Sequence, residues 1–208
     1  MEKCKYLLLL LTLMTTLCSC SQKEKNADAY TRIYEKYKDI KSYQCIMTIN
    51  ISSNKTVKQY KIKQYYKSPD NYKVEVLEPE EIKGLVTVYS NSCVTTIQPE
   101  IEGKFTLLNF NPVGESYIFL PDFLESYYKS EQTSVMTMRE QESRYTVLKA
   151  DIPGNNPYRF SQSMWIDNQS LLPVKMEVYD IKNKPVISIR FDEFEFNAKL
   201  EDEVFQID

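Results

Sequence analysis

Apolar positions along this chain follow three spacings in turn. The first is continuous: Tyr6 to Leu17 is apolar apart from threonines, with Lys3 and Lys5 ahead of it. A membrane-spanning helix needs ~20 apolar residues, so this shorter run fits the apolar region of a secretory signal. The second spacing is three and four. Tyr30, Ile33, Tyr37 and Ile40 share one helical face while Glu35, Lys36 and Lys38 take the other, which predicts a helix from about Asp28 to Ile40 capped by Asp28. From Ser42 the spacing becomes two. Tyr43, Cys45, Met47, Ile49 and Ile51 alternate with polar residues, Ser53-Asn54-Lys55 reads as a turn, and Val57 to Lys67 resumes the alternation. Lys67 to Asn71 supplies turn chemistry before Tyr72, Val74 and Val76. A further hairpin is predicted from Gly84 to Tyr89 and Cys93 to Ile97, turned at Asn91-Ser92.

Gln98 to Gly114 is less regular and reads as a loop. A second helix follows at Leu120 to Lys129, with Pro121 in its first turn and Leu120, Phe123, Leu124, Tyr127 and Tyr128 on one face. Five strands complete the chain, at Val135–Arg139, Tyr145–Ala150, Phe160–Ile166, Val174–Tyr179 and Val186–Phe196. Long antiparallel strands with two short helices predict an α+β fold built on a single curved antiparallel sheet or half-open barrel. Strand phase assigns Trp165, Met176, Val178, Ile187, Ile189 and Phe191 to a shared interior. Phe191 and Phe194 are three apart, so a bulge should lie between them.

Leu17-Cys18-Ser19-Cys20 ends the signal and resembles a bacterial lipobox, in which the cysteine is acylated and becomes the mature N-terminus. On that basis residues 1–19 are a lipoprotein signal peptide, 20–26 a tether and 27–208 one domain. Cys20 is then the lipid attachment site and places the chain outside the cytoplasm, held to a membrane by its acyl chains. Of the remaining cysteines, Cys45 and Cys93 could form a disulfide in such a compartment. The alternating pattern around Cys45 makes two free thiols the simpler reading.

Composition narrows the chemistry further. The net charge of −3 argues against nucleic acid as a partner and offers no polybasic membrane patch. The sequence has no histidine, which removes the commonest general base and zinc ligand. Its four glycines stand too far apart to cradle a phosphate. Runs such as Asp192-Glu193-Glu195 leave a paired-carboxylate hydrolase open, although solvated faces explain them more simply. Nothing calls for a cofactor, a metal or a catalytic residue.

Met164-Trp165-Ile166-Asp167, Leu172-Pro173-Val174-Lys175-Met176-Glu177, Phe191-Asp192-Glu193-Phe194 and Val204-Phe205 form a series, with Tyr66-Lys67-Ser68-Pro69-Asp70-Asn71-Tyr72 ahead of it. The series resembles the lipoprotein-carrier (LolA/LolB-like) superfamily and covers most of the chain. That resemblance implies an incomplete antiparallel barrel with a few helices packed against its concave face and an apolar cavity between them. Within the superfamily the chain is most similar to clostridial spore-germination lipoproteins, in its lipobox, single small domain and Tyr-, Lys- and Asn-rich composition. The likeness implies a non-catalytic accessory in the spore envelope that binds and activates a cortex N-acetylmuramoyl-L-alanine amidase. The alternative is a lipid or acyl-chain carrier using the cavity for a hydrophobic ligand. For a protein partner, exposed aromatics would anchor and charged strand positions would steer. The candidates are Tyr65, Tyr127 and Tyr128 for the first role, and Lys61, Lys63, Lys175 and Glu177 for the second.

Overall fold

The computed structural model describes residues 20–53, 55–90, 92–109, 118–154 and 156–207, with side chains from Asp28 onward. The expected signal segment, Asn54 and Asn91 of two predicted turns, and part of the predicted loop lie outside these residues. Helix α1 spans Cys20–Tyr37 and leads into six strands: β1 (Ser42–Ser52), β2 (Val57–Lys67), β3 (Asn71–Glu78), β4 (Val86–Ser90), β5 (Cys93–Ile97) and β6 (Lys104–Leu107). Helix α2 (Leu120–Lys129) precedes β7 (Thr133–Glu140), β8 (Ser143–Asp151), β9 (Ser161–Asp167), β10 (Pro173–Tyr179) and β11 (Pro185–Phe196). All eleven strands form one antiparallel sheet in the order β6-β5-β4-β3-β2-β1-β11-β10-β9-β8-β7. Each half of the chain is a meander of neighbouring hairpins, and the halves join where the first strand pairs with the last. Among the described residues the sheet does not close, so it is the incomplete barrel expected.

One face of the sheet carries the core. Across β1, Met47, Ile49 and Ile51 stand opposite Phe191, Ile189 and Ile187, and Met176 and Met164 continue the row from Ile189. Both helices pack on this face. Helix α1 buries Ala29, Ile33 and Tyr37, and its last turn is tied to the β9–β10 turn by Tyr37 Oη donating to the Leu171 carbonyl at 2.7 Å. Helix α2 buries Leu120, Phe123, Leu124 and Tyr127 at helical spacing. Its start lies over a row of aromatics, one per strand: Tyr43 of β1, Tyr66 of β2, Tyr72 of β3 and Tyr89 of β4. Ring centroids of Tyr43 and Tyr66 are 5.5 Å apart, those of Tyr66 and Tyr72 5.0 Å, and Phe119 caps the row 4.4 Å from Tyr72. The buried polar ends are satisfied, since Tyr43 Oη donates to Gln64 and Tyr72 Oη to Asp122.

The bulge stands where strand phase predicts it. Glu193 faces Ile46 and Phe191 faces Met47, which leaves Asp192 as the extra residue. Both phenylalanines therefore reach the core face, with centroids 5.9 Å apart. Three expectations are corrected. Helix α1 takes in the Ser21–Asn26 segment, so Asp28 sits inside the helix and caps nothing. The predicted loop contains β6, whose four residues are all exposed; a strand wet on both faces has no buried phase to reveal it. Trp165 leaves the main core cluster yet stays buried at 8% exposure, because Met164 and Ile166 occupy the core phase of β9 and Trp165 lies on the other face beside Lys175. The simpler reading of the cysteines holds: Cys45 and Cys93 are both free, and burial pushes the Cys45 thiol far above its ordinary value.

Among the described residues no helix is long and apolar enough to cross a membrane. The C-terminal segment turns back against β3 and β4. There Lys67 Nζ donates to the Leu200 carbonyl at 2.8 Å and to the Asp202 carboxylate at 2.6 Å.

Candidate functional site

Two surfaces carry chemistry, one on each face of the sheet. The first is a groove of about 570 Å³ on the face away from the helices, in the middle of the sheet. Its floor follows the strand register. Lys61 of β2 stands beside Thr48 of β1, Thr48 beside Arg190 of β11, Arg190 beside Lys175 of β10, and Lys175 beside Trp165 of β9. These side chains share a face because directly opposed residues in an antiparallel sheet point the same way. Asn50, Gln59 and Ser188 line the groove next to that row, with Tyr145 beyond Trp165.

The cations of the groove are held in place. Arg190 Nε lies 2.5 Å from Asp192 Oδ1, and Thr48 Oγ1 donates to the same carboxylate at 2.7 Å. Partial burial opposes the Asp192 charge, but the bonds from Arg190 and Thr48 outweigh it and hold the carboxyl below its usual range. Strand alternation points Asp192 to the open face like Arg190, two residues before it, and the bulge that follows returns Phe194 to the core face. Lys175 Nζ contacts Glu177 at 2.6 Å and sits 4.6 Å above the Trp165 ring, a salt bridge and a cation–π contact on one ammonium. Gln59 Nε2 donates to Asn50 Oδ1 at 3.0 Å, a cross-strand amide pair. The arrangement is polar, ordered and rich in donors.

The second surface is a tyrosine patch where the two helices meet. Tyr34 of α1 and Tyr128 of α2 are 41% and 39% exposed and touch edge to face at 5.5 Å. Tyr30 and Tyr127 lie beneath them with centroids 6.4 Å apart. Burial and neighbouring phenols push the Tyr128 hydroxyl up, so it stays neutral at physiological pH.

The sequence-derived candidates divide between these surfaces. Lys61, Lys63, Tyr65, Lys175 and Glu177 all project from the open face, with Lys63 Nζ 5.0 Å over the Tyr65 ring just outside the groove. Tyr128 is exposed as expected. Tyr127 is corrected: at 5% exposure it belongs to the core under α2 and cannot anchor a partner directly. Cys20 begins α1, the helix that carries Tyr30 and Tyr34 of the patch. Sequence reasoning missed Arg190, Trp165, Thr48 and Asn50. Three of them stand at polar positions on the outward phase, a signal that is present but shared with every solvated strand.

A family model described as "Sporulation protein YdcC-like" matches residues 2–205. Among solved structures, the chain is similar to the GerS lipoprotein of Clostridioides difficile, determined in complex with the CwlD amidase. The two are 27% identical over 82% of this chain and 95% of that one, with a TM-score of 0.52. It is similar in fold to a conserved protein from Thermus thermophilus (12% identity, 86% and 91% covered, TM-score 0.56). A LolA superfamily protein from Nitrosomonas europaea is also alike (15% identity, 85% and 97% covered, TM-score 0.47). No curated protein matches the sequence.

Proposed function

From the premise that this chain belongs to the YdcC-like sporulation protein family, we propose that it is a lipid-anchored, non-catalytic accessory of the spore envelope that binds and activates a cortex N-acetylmuramoyl-L-alanine amidase. The observation that carries this reading is the likeness to the GerS lipoprotein, which spans nearly all of that chain and was solved bound to an amidase. An activator needs only to bind the enzyme's competent conformation better than its idle one. A differential of ~1–3 kcal/mol raises activity several-fold to about a hundredfold. The tyrosine patch suits such a contact, because Tyr34 and Tyr128 offer rigid, amphipathic area next to a packed core.

The carrier reading needs room for an acyl chain between sheet and helices. Under the start of α2 that space is occupied by the buried, tilted rings of Tyr43, Tyr66, Tyr72 and Phe119, which favours the partner-binding reading.

The test is reconstitution. The purified protein should release nothing from peptidoglycan alone, co-elute with the amidase, and raise its turnover. Tyr34→Ala and Tyr128→Ala should weaken co-elution while leaving the melting temperature near that of the parent. Wall hydrolysis by the protein alone, or a stoichiometric bound lipid with no protein partner, would overturn the reading.

A further inference from the structure

The groove on the open face lies across the sheet from the tyrosine patch and is left unused by the partner reading. We propose that it binds a linear glycan bearing acidic substituents, laid across the strands.

The first argument is the chemistry of the lining. Asn50 and Gln59 bring side-chain amides and Thr48 and Ser188 hydroxyls, beside a buried Trp165 ring that Lys175 covers. Sugars present hydroxyls that both donate and accept, and these amides and hydroxyls complement them. An acyl chain would strand these polar groups without partners.

The second argument concerns the backbone. Extended peptides bind sheets mainly by pairing their main chain with a free strand edge. The groove floor lies on β2, β1, β11, β10 and β9, all interior strands with neighbours on both sides. Their ladders are already engaged, so a peptide would find only side chains there. A glycan, which has no amide ladder to satisfy, loses nothing.

Spacing supplies the third. Lys61, Thr48, Arg190, Lys175 and Trp165 occur once per strand, and neighbouring strands are ~4.8 Å apart, so the row spans roughly 19 Å. A polymer crossing the strands meets one new side chain at each step, and an extended β-linked pyranose chain advances by a similar distance per ring. Charge fits as well. Lys61, Arg190 and Lys175 stand in the row, with Glu78 opposite Lys61 on β3 and Glu140 elsewhere in the lining. Because Asp192 and Glu177 already orient Arg190 and Lys175, a sugar carboxylate would meet donors that need little reordering.

Trp165 is the only tryptophan in the sequence and reports directly on the groove. The full-length chain in detergent would be titrated with peptide-free cell-wall glycan strands, which carry carboxylates, and with the neutral N-acetylglucosamine tetramer, following tryptophan emission. The expected result is a saturable change with the acidic strands and affinity weaker by roughly tenfold or more for the neutral tetramer, the loss of one charge-assisted hydrogen bond. Arg190→Ala and Gln59→Ala should each weaken binding, with unchanged melting curves and with co-sedimentation on insoluble wall material as a second readout. No spectral change together with no co-sedimentation, or equal affinity for the neutral tetramer, overturns the proposal. Amidase co-elution measured without glycan tests the partner reading separately, so either proposal can fail without the other.

Discussion

Asp192 shows how one inserted residue can serve two faces of a sheet. As the bulge residue it lets Phe191 and Phe194 both face the core, and it gives Arg190 and Thr48 a common acceptor on the other side. Because folding lowers its carboxyl pKa, its contribution is complete above the unfolded value of about 3.9 and is lost as pH falls through the lower folded value. Asp192→Asn should therefore reduce stability near neutrality but flatten the acid limb, losing less between about pH 4 and 2 than the parent. Melting temperatures of both proteins across that range check the sign. A parallel loss in the two would show that the carboxylate contributes nothing.

At the scale of elements, the strand that carries the bulge is the one to test. Phe191 is buried against Phe194 and stands opposite Met47 at the join between the two halves of the sheet. Truncating it to alanine should cost ~3–5 kcal/mol, read from chemical denaturation at constant slope. This outcome was legible in the sequence, since period-two spacing fixed both the strand and its inward phase. The boundaries of β2, β5 and α2 were legible for the same reason: turn residues or Pro121 punctuate a strong apolar pattern. Three things were not. Strand β6 hides because neither of its faces is buried. Trp165 misleads because Met164, Trp165 and Ile166 are apolar in succession, and phase alone cannot tell which member of such a run faces out. The groove itself arises from register between strands more than a hundred residues apart, which no local pattern encodes. Tyr127 and Tyr128 illustrate the limit well: adjacent in sequence and alike in chemistry, they are sorted into core and surface by a single helical step.

For the molecule as a whole, the proposed anchor would be coupled to the fold through α1. Helix α1 starts at Cys20 and ends pinned to the β9–β10 turn through Tyr37. A lipid at Cys20 would thus be joined to the core through one continuous helix, without a slack linker. Mass spectrometry of the mature N-terminus should find a diacylated Cys20, and Cys20→Ala should shift the protein from the membrane to the soluble fraction. An unmodified residue following Ser19 would rule the anchor out.

The join between β1 and β11 also sets a timetable. The first strand of the sheet pairs with the last, Ser42 Oγ donating to the Ala198 carbonyl at 2.7 Å, so the central seam cannot form until nearly all of the chain has emerged. Until then the N-terminal meander holds β1 as a long edge with open backbone groups, a template for pairing with the wrong chain. Contacts so distant in sequence are slow to close. A protein of this design needs its first half shielded while the second arrives. A chain cut before Pro185 should accordingly retain hairpins yet self-associate, a difference that light scattering after dilution from denaturant would register within one experiment.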